Sequence, residues 1–409
     1  MRQYRLVADR CVPPAGDDVK LPVMAVFAMG KIEGYVGPTE LGAADHLEQV
    51  IVDFLAGAKY SLDIAVQELD NEVIAQAILD ARFRGIDVRM VVEQDYLLTG
   101  QLPGVKPRAG EDQAAALRRV QWGNETGEKS LEENRRLFAA LLRCNVDVKA
   151  DYNPKIFHQK FVVRDYRGEA KPTSALLSGS TNFTVTDTHR NLNHVVIFHD
   201  WRVCREYTVE FDMIRNGQFG RNVHGDVPKA FNIKGVPVKV LFAPEHTPEL
   251  EIMKQMLKAT DRVDFAIFTF SGSSGIDDTM IALQAAGRHV RGAVDPGQGA
   301  QTWAATHDLD RAGIEIFYPD RTPPFRKLHH KLMVIDRSIV VAGSFNYTAP
   351  ANEYNDENIF VLGSPKADLK PSEGGPCDPA ACAEIADFFR ADIDRIVAGG
   401  TRFIGAPPH

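Results

Sequence analysis

Two short motifs bring together residue types that can act on a phosphate ester. The first half of the chain contains His158, Lys160 and Asp165, followed by Ser180 and Asn182. The second half repeats the pattern with His329, Lys331, Asp336, Ser344 and Asn346. Both copies read His-x-Lys-x4-Asp and then Gly-Ser-x-Asn, and composition alone does not predict two strict copies in the same order. We therefore interpret the repeat as two halves of one site.

The chemistry that these groups favour is that of a phosphodiester. Lysine ammonium and asparagine amide groups can bind the non-bridging oxygens and stabilise the charge of a five-coordinate transition state. One imidazole can attack phosphorus while the other protonates the leaving oxygen. A zinc site is the rival interpretation of paired histidines, but the cysteines are not spaced for it and the adjacent lysines would repel a cation. We expect neither a metal nor another cofactor.

Strand geometry explains the spacing within each motif. Residues two apart on a β-strand project from the same face, so His158 and Lys160 can share a pocket, and so can the second pair. His330, which lies between the second His and Lys, should point to the opposite face, and we expect it to be buried or to lie behind the site. Asp165 and Asp336 come at the strand ends, where a structural hydrogen bond is the better interpretation.

The elements around the motifs repeat as well. An alternating stretch at 62–70, a helical stretch at 72–83 and a strand at 84–92 form a β-α-β unit, and the second half has the same order. Each half closes with an amphipathic helix, at 201–214 and 381–396. We predict an α/β fold with two domains of one design.

Length and local composition set the domain limits within the 409 residues. We predict an N-terminal strand or extension at 1–31, a first domain at 32–222 and a second at 236–409, because the stretch between them is rich in glycine and proline. A polar insertion at about 97–135 lengthens the first domain and is interpreted as a surface excursion or as a lid. We expect a monomer with an internal pseudo-dimer.

Composition limits the partners and the compartment. The formal charge of −8 excludes a chain that is basic throughout, so an anionic substrate needs a local positive site. The loop residues Arg321, Arg326 and Lys327 are the candidates for a rim that contacts phosphates. Five cysteines, a small and odd number, predict reduced thiols, and no apolar run is long enough to span a membrane. Without a clear signal peptide, we expect a cytoplasmic protein.

The duplicated motif resembles that of the phospholipase D superfamily, and the matching segments extend from about residue 32 to residue 396. The resemblance implies two tandem phospholipase D-like α-β-α sandwich domains related by a pseudo-twofold axis, with the active site at their interface. It also implies a phosphohistidine intermediate and no metal. The residues implied to share the pocket are His158, Lys160, Asn182, His329, Lys331 and Asn346, with Ser180 and Ser344 in support.

A further element of this family is an acidic residue after Gly-Ser that orients a catalytic imidazole. Glu357 fits this element in the second half, whereas Asn193 takes its place in the first. A carboxylate raises the basicity of an imidazole and an amide does not, so the two histidines are predicted to be electronically unequal. The resemblance implies that these residues reach across the interface. Glu357 would then support His158 as nucleophile, and Asn193 would position His329 as general acid.

Three functions remain open for the substrate. The amino-acid sequence around the second motif resembles that of the bacterial endonuclease branch and its mitochondrial relatives more than that of the lipid synthases. A nuclease acting on DNA or RNA is therefore the first hypothesis. The alternative is a phospholipase D or phosphatidyltransferase, for which we expect exposed apolar or aromatic loops and usually an export signal. A non-catalytic scaffold is third, and two intact motifs argue against it. Nucleic acid is the expected substrate and phospholipid the alternative.

Overall fold

The computed structural model describes residues 27–28, 32–96, 110, 128–167, 173–222, 226–364 and 377–405. Over these residues the chain forms two mixed sheets of nine strands each. Most of the insertion predicted at about 97–135 lies outside the described residues. Its interpretation as a surface excursion or a lid concerns those same residues. Only Gly110 and the helix that begins at Glu128 are described within that stretch.

The elements of the first half alternate between strands and helices. In chain order they are β1 (Phe27–Ala28), β2 (Ile32–Gly37), α1 (Leu47–Ala56), β3 (Ser61–Val66), α2 (Glu72–Phe83), β4 (Asp87–Val92), α3 (Glu128–Arg143), β5 (Asp147–Ala150), β6 (Lys160–Arg164), β7 (Ala175–Gly179), α4 (Val185–His189), β8 (Asn191–Phe198) and α5 (Trp201–Arg215). The predicted helix at 72–83 is confirmed as α2. The Asn71 side chain caps this helix by accepting hydrogen bonds from the backbone amides of Val73 and Ile74.

The second half repeats this series with a few additions. Its elements are β9 (Ala230–Ile233), β10 (Val236–Ala243), α6 (Pro248–Met256), β11 (Arg262–Ile267), α7 (Gly275–Ala285), β12 (His289–Val294), α8 (Pro296–Gly299), α9 (Thr306–Arg311), β13 (Glu315–Tyr318), β14 (Lys327–Leu328), β15 (Lys331–Ile335), β16 (Ile339–Gly343), α10 (Ala349–Glu353), β17 (Glu357–Gly363), α11 (Pro379–Ala398) and β18 (Thr401–Arg402).

The two sheets share one strand order over most of their width. The first runs β1-β2-β8-β7-β6-β3-β4-β5, with β14 as a ninth strand paired to β8. The second, read in the same direction, runs β9-β10-β17-β16-β15-β11-β12-β13-β18. In both sheets the strands of the β-α-β unit pair in parallel, and the motif strand, β6 or β15, pairs antiparallel with the first of them. The prediction of an α/β fold with two domains of one design is confirmed.

One buried hydrophobic cluster joins the halves. It contains side chains from α5 and α11, including Tyr207 and Phe389, together with Phe161 of the first sheet and Phe360 of the second. Two further clusters lie on the other faces of the sheets, beneath the helices of each half. Because the shared cluster removes apolar surface of both halves from water, it holds the two motif strands in a fixed relation.

The second sheet begins earlier than the predicted domain limit. Strand β9 starts at Ala230 and forms a hairpin with β10, which begins at Val236. Lys234 and Gly235 make the turn, and both have positive φ, as a two-residue hairpin turn requires. The glycine that suggested a linker therefore serves a strand connection.

Three of the described cysteines have free thiols and one does not. Cys204, Cys377 and Cys382 are free thiols, whereas Cys144 is disulfide-bonded, so the prediction of reduced thiols is wrong for Cys144. Across the described ranges, no helix combines the length and the apolar character needed to cross a bilayer.

Candidate active site

Each motif histidine is tied through its backbone to the opposite half. The N–H of His158 donates to the carbonyl of Asp356 over 3.0 Å, and the N–H of His329 donates to the carbonyl of Leu192 over 2.8 Å. The short strand β14, just before the second motif, pairs with β8 of the first sheet. The residues that follow Leu192 and Asp356 in the chain are Asn193 and Glu357, so the backbone pairing brings each of them to the histidine of the other half.

A cavity of about 1220 Å³ lies between the halves and receives the motif side chains. The histidines and asparagines of both motifs line it: His158, Asn182, His329 and Asn346. The two motif lysines are buried beside the histidines. Lys160 Nζ donates to the carbonyl of His158 over 2.8 Å, and Lys331 Nζ donates to the carbonyl of His329 over 2.9 Å. The six residues predicted to share a pocket are therefore placed together.

A carboxylate orients His158. Its Nδ1 lies 2.6 Å from Glu357 Oε2, which also accepts a 2.7 Å hydrogen bond from the Ser344 hydroxyl. A carboxylate only accepts hydrogen bonds, so Nδ1 carries the proton and Nε2 keeps its lone pair. Burial lowers the pKa of His158 to about 4, although the charge of Glu357 acts in the opposite direction. The imidazole is neutral and suited to act as a nucleophile.

An amide occupies the equivalent position behind His329. Asn193 Oδ1 lies 3.0 Å from His329 Nδ1 and accepts a 2.8 Å hydrogen bond from the Ser180 hydroxyl. Burial lowers the pKa of His329 well below its usual range, and the neighbouring Lys331 and Lys160 lower it further. The two histidines thus have the same arrangement of partners, but only His158 is hydrogen-bonded to a charged group.

Burial also lowers the pKa values of the two motif lysines. It lowers the pKa of Lys160 to about 8, while the nearby carboxylate of Glu357 raises it. Burial lowers the pKa of Lys331 well below its usual range, and the charge of Lys160 acts in the same direction. Two cations in one closed site repel each other, so an anionic ligand that binds between them is favoured over an empty site.

The motif aspartates lie at the far ends of their strands, outside the cavity lining. Asp165 accepts hydrogen bonds from the three backbone amides at 59–61, and Asp336 from the three at 260–262. Both residues have positive φ, 59° for Asp165 and 51° for Asp336. These carboxylates fix the turn before β3 or β11, as expected of structural hydrogen bonds.

The predicted cationic rim is divided between two cavities. Arg326 and Lys327 line the large cavity, whereas Arg321 lines a neighbouring cavity of about 430 Å³ together with those two residues. Lys327 Nζ lies 5.2 Å from the centroid of the Phe268 ring. These three cationic side chains therefore belong to the second half of the chain and lie at its side of the large cavity.

Several lining residues lie outside the motifs. Gln67 and Phe268 follow β3 and β11 at matching places, and Gln67 Oε1 accepts a hydrogen bond from Lys160 Nζ over 3.1 Å. Phe268 has its ring 4.9 Å from that of His329. The alignment of the two repeats was a signal that could have found this pair. Asp187 of α4 gave no comparable signal, because its counterpart in the second half is not acidic.

The described residues contain one group of His and acidic side chains close enough to share a metal ion, namely Glu40, His46 and His189. None of the three lines the large cavity. His189 is hydrogen-bonded to Glu40 over 2.7 Å and to Glu48 over 3.0 Å, and these bonds raise the pKa of His189 to about 9. The group is therefore an ion-paired surface cluster apart from the motifs.

Comparison with known families agrees with the duplicated site. The model described as "Cardiolipin synthase, PLD-like domain" matches residues 51–215 and 252–370. The chain therefore belongs to the phospholipase D superfamily, and its two sheets are two copies of the phospholipase D-like domain.

Individual relatives match part of the chain. A phospholipase D of Rickettsia conorii is 31% identical over 125 residues, which are 31% of this chain and 60% of the relative. A mitochondrial cardiolipin hydrolase of Chlamydomonas reinhardtii is 32% identical over 123 residues, 30% of this chain and 53% of the relative. The chain thus spans 60% or less of these two relatives. The phosphatidylserine synthase of Haemophilus influenzae Rd KW20 has the same fold, with a TM-score of 0.57 at 10% identity over 93% of this chain and 89% of that chain.

Proposed function

We propose that the protein is a phosphodiesterase that hydrolyses phospholipids at a lipid surface. The observation that carries this proposal is a set of exposed apolar side chains at the cavity. Ile156 and Trp303 line it from the two halves and are 47% and 45% exposed. Val185, 48% exposed, stands between the lining residues Thr184 and Thr186. Exposed apolar groups at the mouth are the feature expected of an enzyme that meets a lipid surface.

The charge of the cavity supports the same substrate. Four carboxylate side chains line it, those of Glu68, Asp70, Asp95 and Asp187, against two cations beyond the motif lysines. A nucleic acid carries a phosphate at every nucleotide and needs a continuous positive groove. A single lipid phosphodiester needs positive groups only around its own phosphorus, where the motif lysines lie. The names of the relatives, phospholipase D and cardiolipin hydrolase, are consistent with this choice.

The proposed reaction has two steps. In the first, His158 Nε2 attacks phosphorus, the bond from phosphorus to the leaving alcohol oxygen breaks, and His329 gives that oxygen a proton. In the second, His329 takes a proton from water, the water oxygen attacks phosphorus and the phosphorus–nitrogen bond breaks. Lys160, Lys331 and the two motif asparagines bind the non-bridging oxygens in both steps. The products are a phosphomonoester and an alcohol, and no step uses a metal.

Nuclease activity is the second candidate. Arg326 and Lys327 in the cavity, with Arg321 beside it, are the observation that favours a longer anionic substrate. A nuclease of this kind would use the same two steps, with a sugar hydroxyl of the adjacent nucleotide as the leaving alcohol.

A parallel assay separates the two candidates. The protein and its His158→Ala variant are incubated in excess chelator with vesicles of phosphatidylcholine, vesicles containing cardiolipin, single-stranded DNA and RNA. We expect the wild type to form a lipid phosphomonoester in at least one vesicle sample and the variant to form none. Cleavage of DNA or RNA without lipid hydrolysis would overturn the lipid proposal. Loss of all activity in chelator would overturn the metal-free reaction.

The apolar side chains at the cavity provide a sharper test. The double variant Ile156→Ser/Trp303→Ser is compared with Leu257→Ser, which removes a side chain that is 65% exposed and does not line the cavity. We expect the double variant to lose at least tenfold in rate on vesicles and less than threefold on the water-soluble ester bis(p-nitrophenyl) phosphate. The Leu257 variant should keep both rates. Equal losses on vesicles and on the soluble ester would contradict contact of these side chains with lipid.

A further inference from the structure

The side chains that are hydrogen-bonded to the Nδ1 atoms of the two motif histidines differ by one negative charge. Glu357, with the Ser344 hydroxyl, stands behind His158. The corresponding residue behind His329 is Asn193, which holds the ring through its amide oxygen. An amide fixes the orientation of an imidazole but adds no charge that would help it to hold a proton.

A carboxylate from another element lies beside His329. Asp187 Oδ2 is 3.5 Å from His329 Nδ1 and accepts a 2.8 Å hydrogen bond from the backbone N–H of Asn182. The Asn191 side chain donates a hydrogen bond to Oδ1. The backbone carbonyl of Asp187 accepts a 3.0 Å hydrogen bond from Asn193 Nδ2. Asp187 is buried, so its charge is little screened by water.

The repeat shows what stands at the same place in the other half. The N–H of Asp187 donates to the hydroxyl of Thr184, the residue before α4, over 3.0 Å. The N–H of Ala351 donates in the same way to the hydroxyl of Thr348, the residue before α10, over 3.3 Å. Asp187 and Ala351 therefore occupy equivalent positions. The half that has the amide at 193 has an acid at 187, and the half that has the acid Glu357 has alanine at 351.

We propose that Asp187 is a positioning residue that supplies the negative charge behind His329, in place of the acid absent from position 193. The inference rests on the two-step reaction proposed above and holds whether the substrate is a lipid or a nucleic acid. The general acid must carry a proton before it can give one to the leaving oxygen. A carboxylate near its Nδ1 stabilises that protonated form.

The need for such a charge follows from the surroundings of His329. Burial disfavours a proton on its ring, and so do the neighbouring Lys331, Lys160, Lys327 and His158. Asp187 is the carboxylate that lies near the ring within the described part of the chain. Without it, a protonated His329 would have the amide of Asn193 as its hydrogen-bond partner and no carboxylate of the described residues within 4.0 Å of its ring nitrogens.

The test compares two soluble esters that differ in their leaving group, diphenyl phosphate and bis(p-nitrophenyl) phosphate. The p-nitrophenolate ion is a weak base and leaves without being protonated. Phenolate is a stronger base, so its departure depends more on a proton from the general acid. For Asp187→Asn we expect a rate about tenfold lower on diphenyl phosphate and nearly unchanged on the nitrophenyl ester. The alkaline limb of the pH–rate profile should move about one pH unit lower, because the acid loses its proton more readily.

Rescue provides the decisive variant. Asp187→Asn/Asn193→Asp moves the carboxylate to the position that the repeat assigns to it, and we expect the alkaline limb and the rate on diphenyl phosphate to return toward those of the wild type. Equal losses on both esters, an unmoved alkaline limb or a failed rescue would overturn the proposal. Asp165→Asn is the matched control, since it alters a buried carboxylate of the same half outside the cavity and should leave the alkaline limb in place.

The wild type separates the two levels of inference. If it cleaves neither ester, the two-step reaction and the role of Asp187 are both overturned. If it cleaves them and Asp187→Asn behaves like the wild type, the reaction stands and the role of Asp187 is overturned. Thermal unfolding of each variant shows whether a lost rate reflects lost folded protein, and rates are compared per folded molecule.

Discussion

Asn358 Nδ2 donates a 2.6 Å hydrogen bond to Gln159 Oε1, so the residue that follows Glu357 holds the residue that follows His158. The equivalent pair in the other half is His194 with His330. Their Nδ1 atoms lie 3.2 Å apart, and their rings are parallel with centroids 5.4 Å apart. Next to the two motif histidines, therefore, the interface is joined once by two amides and once by two imidazoles.

The imidazole pair should make the protein sensitive to acid. Burial lowers the pKa of His194 well below its usual range, and His330 lowers it further. The unfolded state then binds more protons than the folded state between that lowered pKa and about 6.5, so stability falls as pH falls through this window. The slope is about 1.4 kcal/mol per pH unit for each histidine held neutral. Urea unfolding midpoints at pH 7.5 and 5.5 measure it.

The other half supplies the matched variant. His194→Asn/His330→Gln copies the amide pair, and we expect it to lose less stability than the wild type between pH 7.5 and pH 5.5. Asp392, which is 3.2 Å from His330, keeps its ion pair with Arg395 in this variant. An acid-induced loss as large as that of the wild type would show that other groups cause it.

A buried carboxyl near the same interface should act in the opposite sense. Burial raises the pKa of Glu210 well above its usual range, and the nearby Glu245 raises it further. The folded state then holds a proton that the unfolded state loses above about pH 4.5, so stability falls as pH rises through the raised pKa. We expect Glu210→Gln to be more stable than the wild type by about 1–2 kcal/mol at pH 8.

Urea unfolding at pH 5 and pH 8 checks this expectation. Glu206→Gln is the control on the same helix, because Glu206 is ion-paired with Arg205 over 2.8 Å and should not gain stability when it is changed. A Glu210→Gln variant that is no more stable at pH 8 than the wild type would contradict the buried, protonated carboxyl.

Removal of the charge behind His158 should affect the acid side of the rate profile. Glu357→Gln keeps a hydrogen-bond acceptor for His158 Nδ1 and for the Ser344 hydroxyl but removes the carboxylate. Since Glu357 raises the pKa of His158, we expect the acid limb to move to lower pH while the rate falls at least 100-fold, as the imidazole becomes less basic. The measurement is kcat/KM against pH. An acid limb that moves to higher pH would contradict this role.

The motif aspartates should matter for stability and not for the chemical step. Asp165→Ala leaves three backbone amides at 59–61 without their acceptor, and we expect a loss of about 2–4 kcal/mol in the free energy of unfolding. Asp165→Asn keeps one oxygen and tolerates the positive φ, so its loss should be smaller. The rate per folded molecule, measured below the unfolding transition, should stay within about threefold of the wild type.

Local sequence patterns predicted the elements that form the site. The helical spacing of 72–83 reproduced α2, because that pattern depends on neighbouring residues. The prediction that each motif His and Lys lie on one strand was wrong, since β6 begins at Lys160 and β15 at Lys331, and each histidine precedes its strand by two residues. His330 is buried as expected and contacts His194. The histidine at 194 had no motif of its own, and only the pairing of two distant strands gives it a partner.

Other features depend on contacts that no local pattern encodes. Asp187 lies near His329 because β14 of one half pairs with β8 of the other, and sequence spacing does not reveal that register. Ile156 and Trp303 are of residue types that are usually buried. Their exposure could therefore be recognised only from the folded structure and the position of the cavity. The strand at 230–233 was missed since the Gly-rich turn after it was interpreted as a linker.

The backbone pairing of His158 with Asp356 and of His329 with Leu192 has a consequence for how such a protein can evolve. In a dimer of two identical chains, every substitution appears twice, so an acid lost behind one histidine is lost behind both. Once both copies are carried on one chain, each position mutates separately. This chain has Glu at 357 and Asn at 193, Ala at 351 and Asp at 187, an inequality that identical subunits could not inherit.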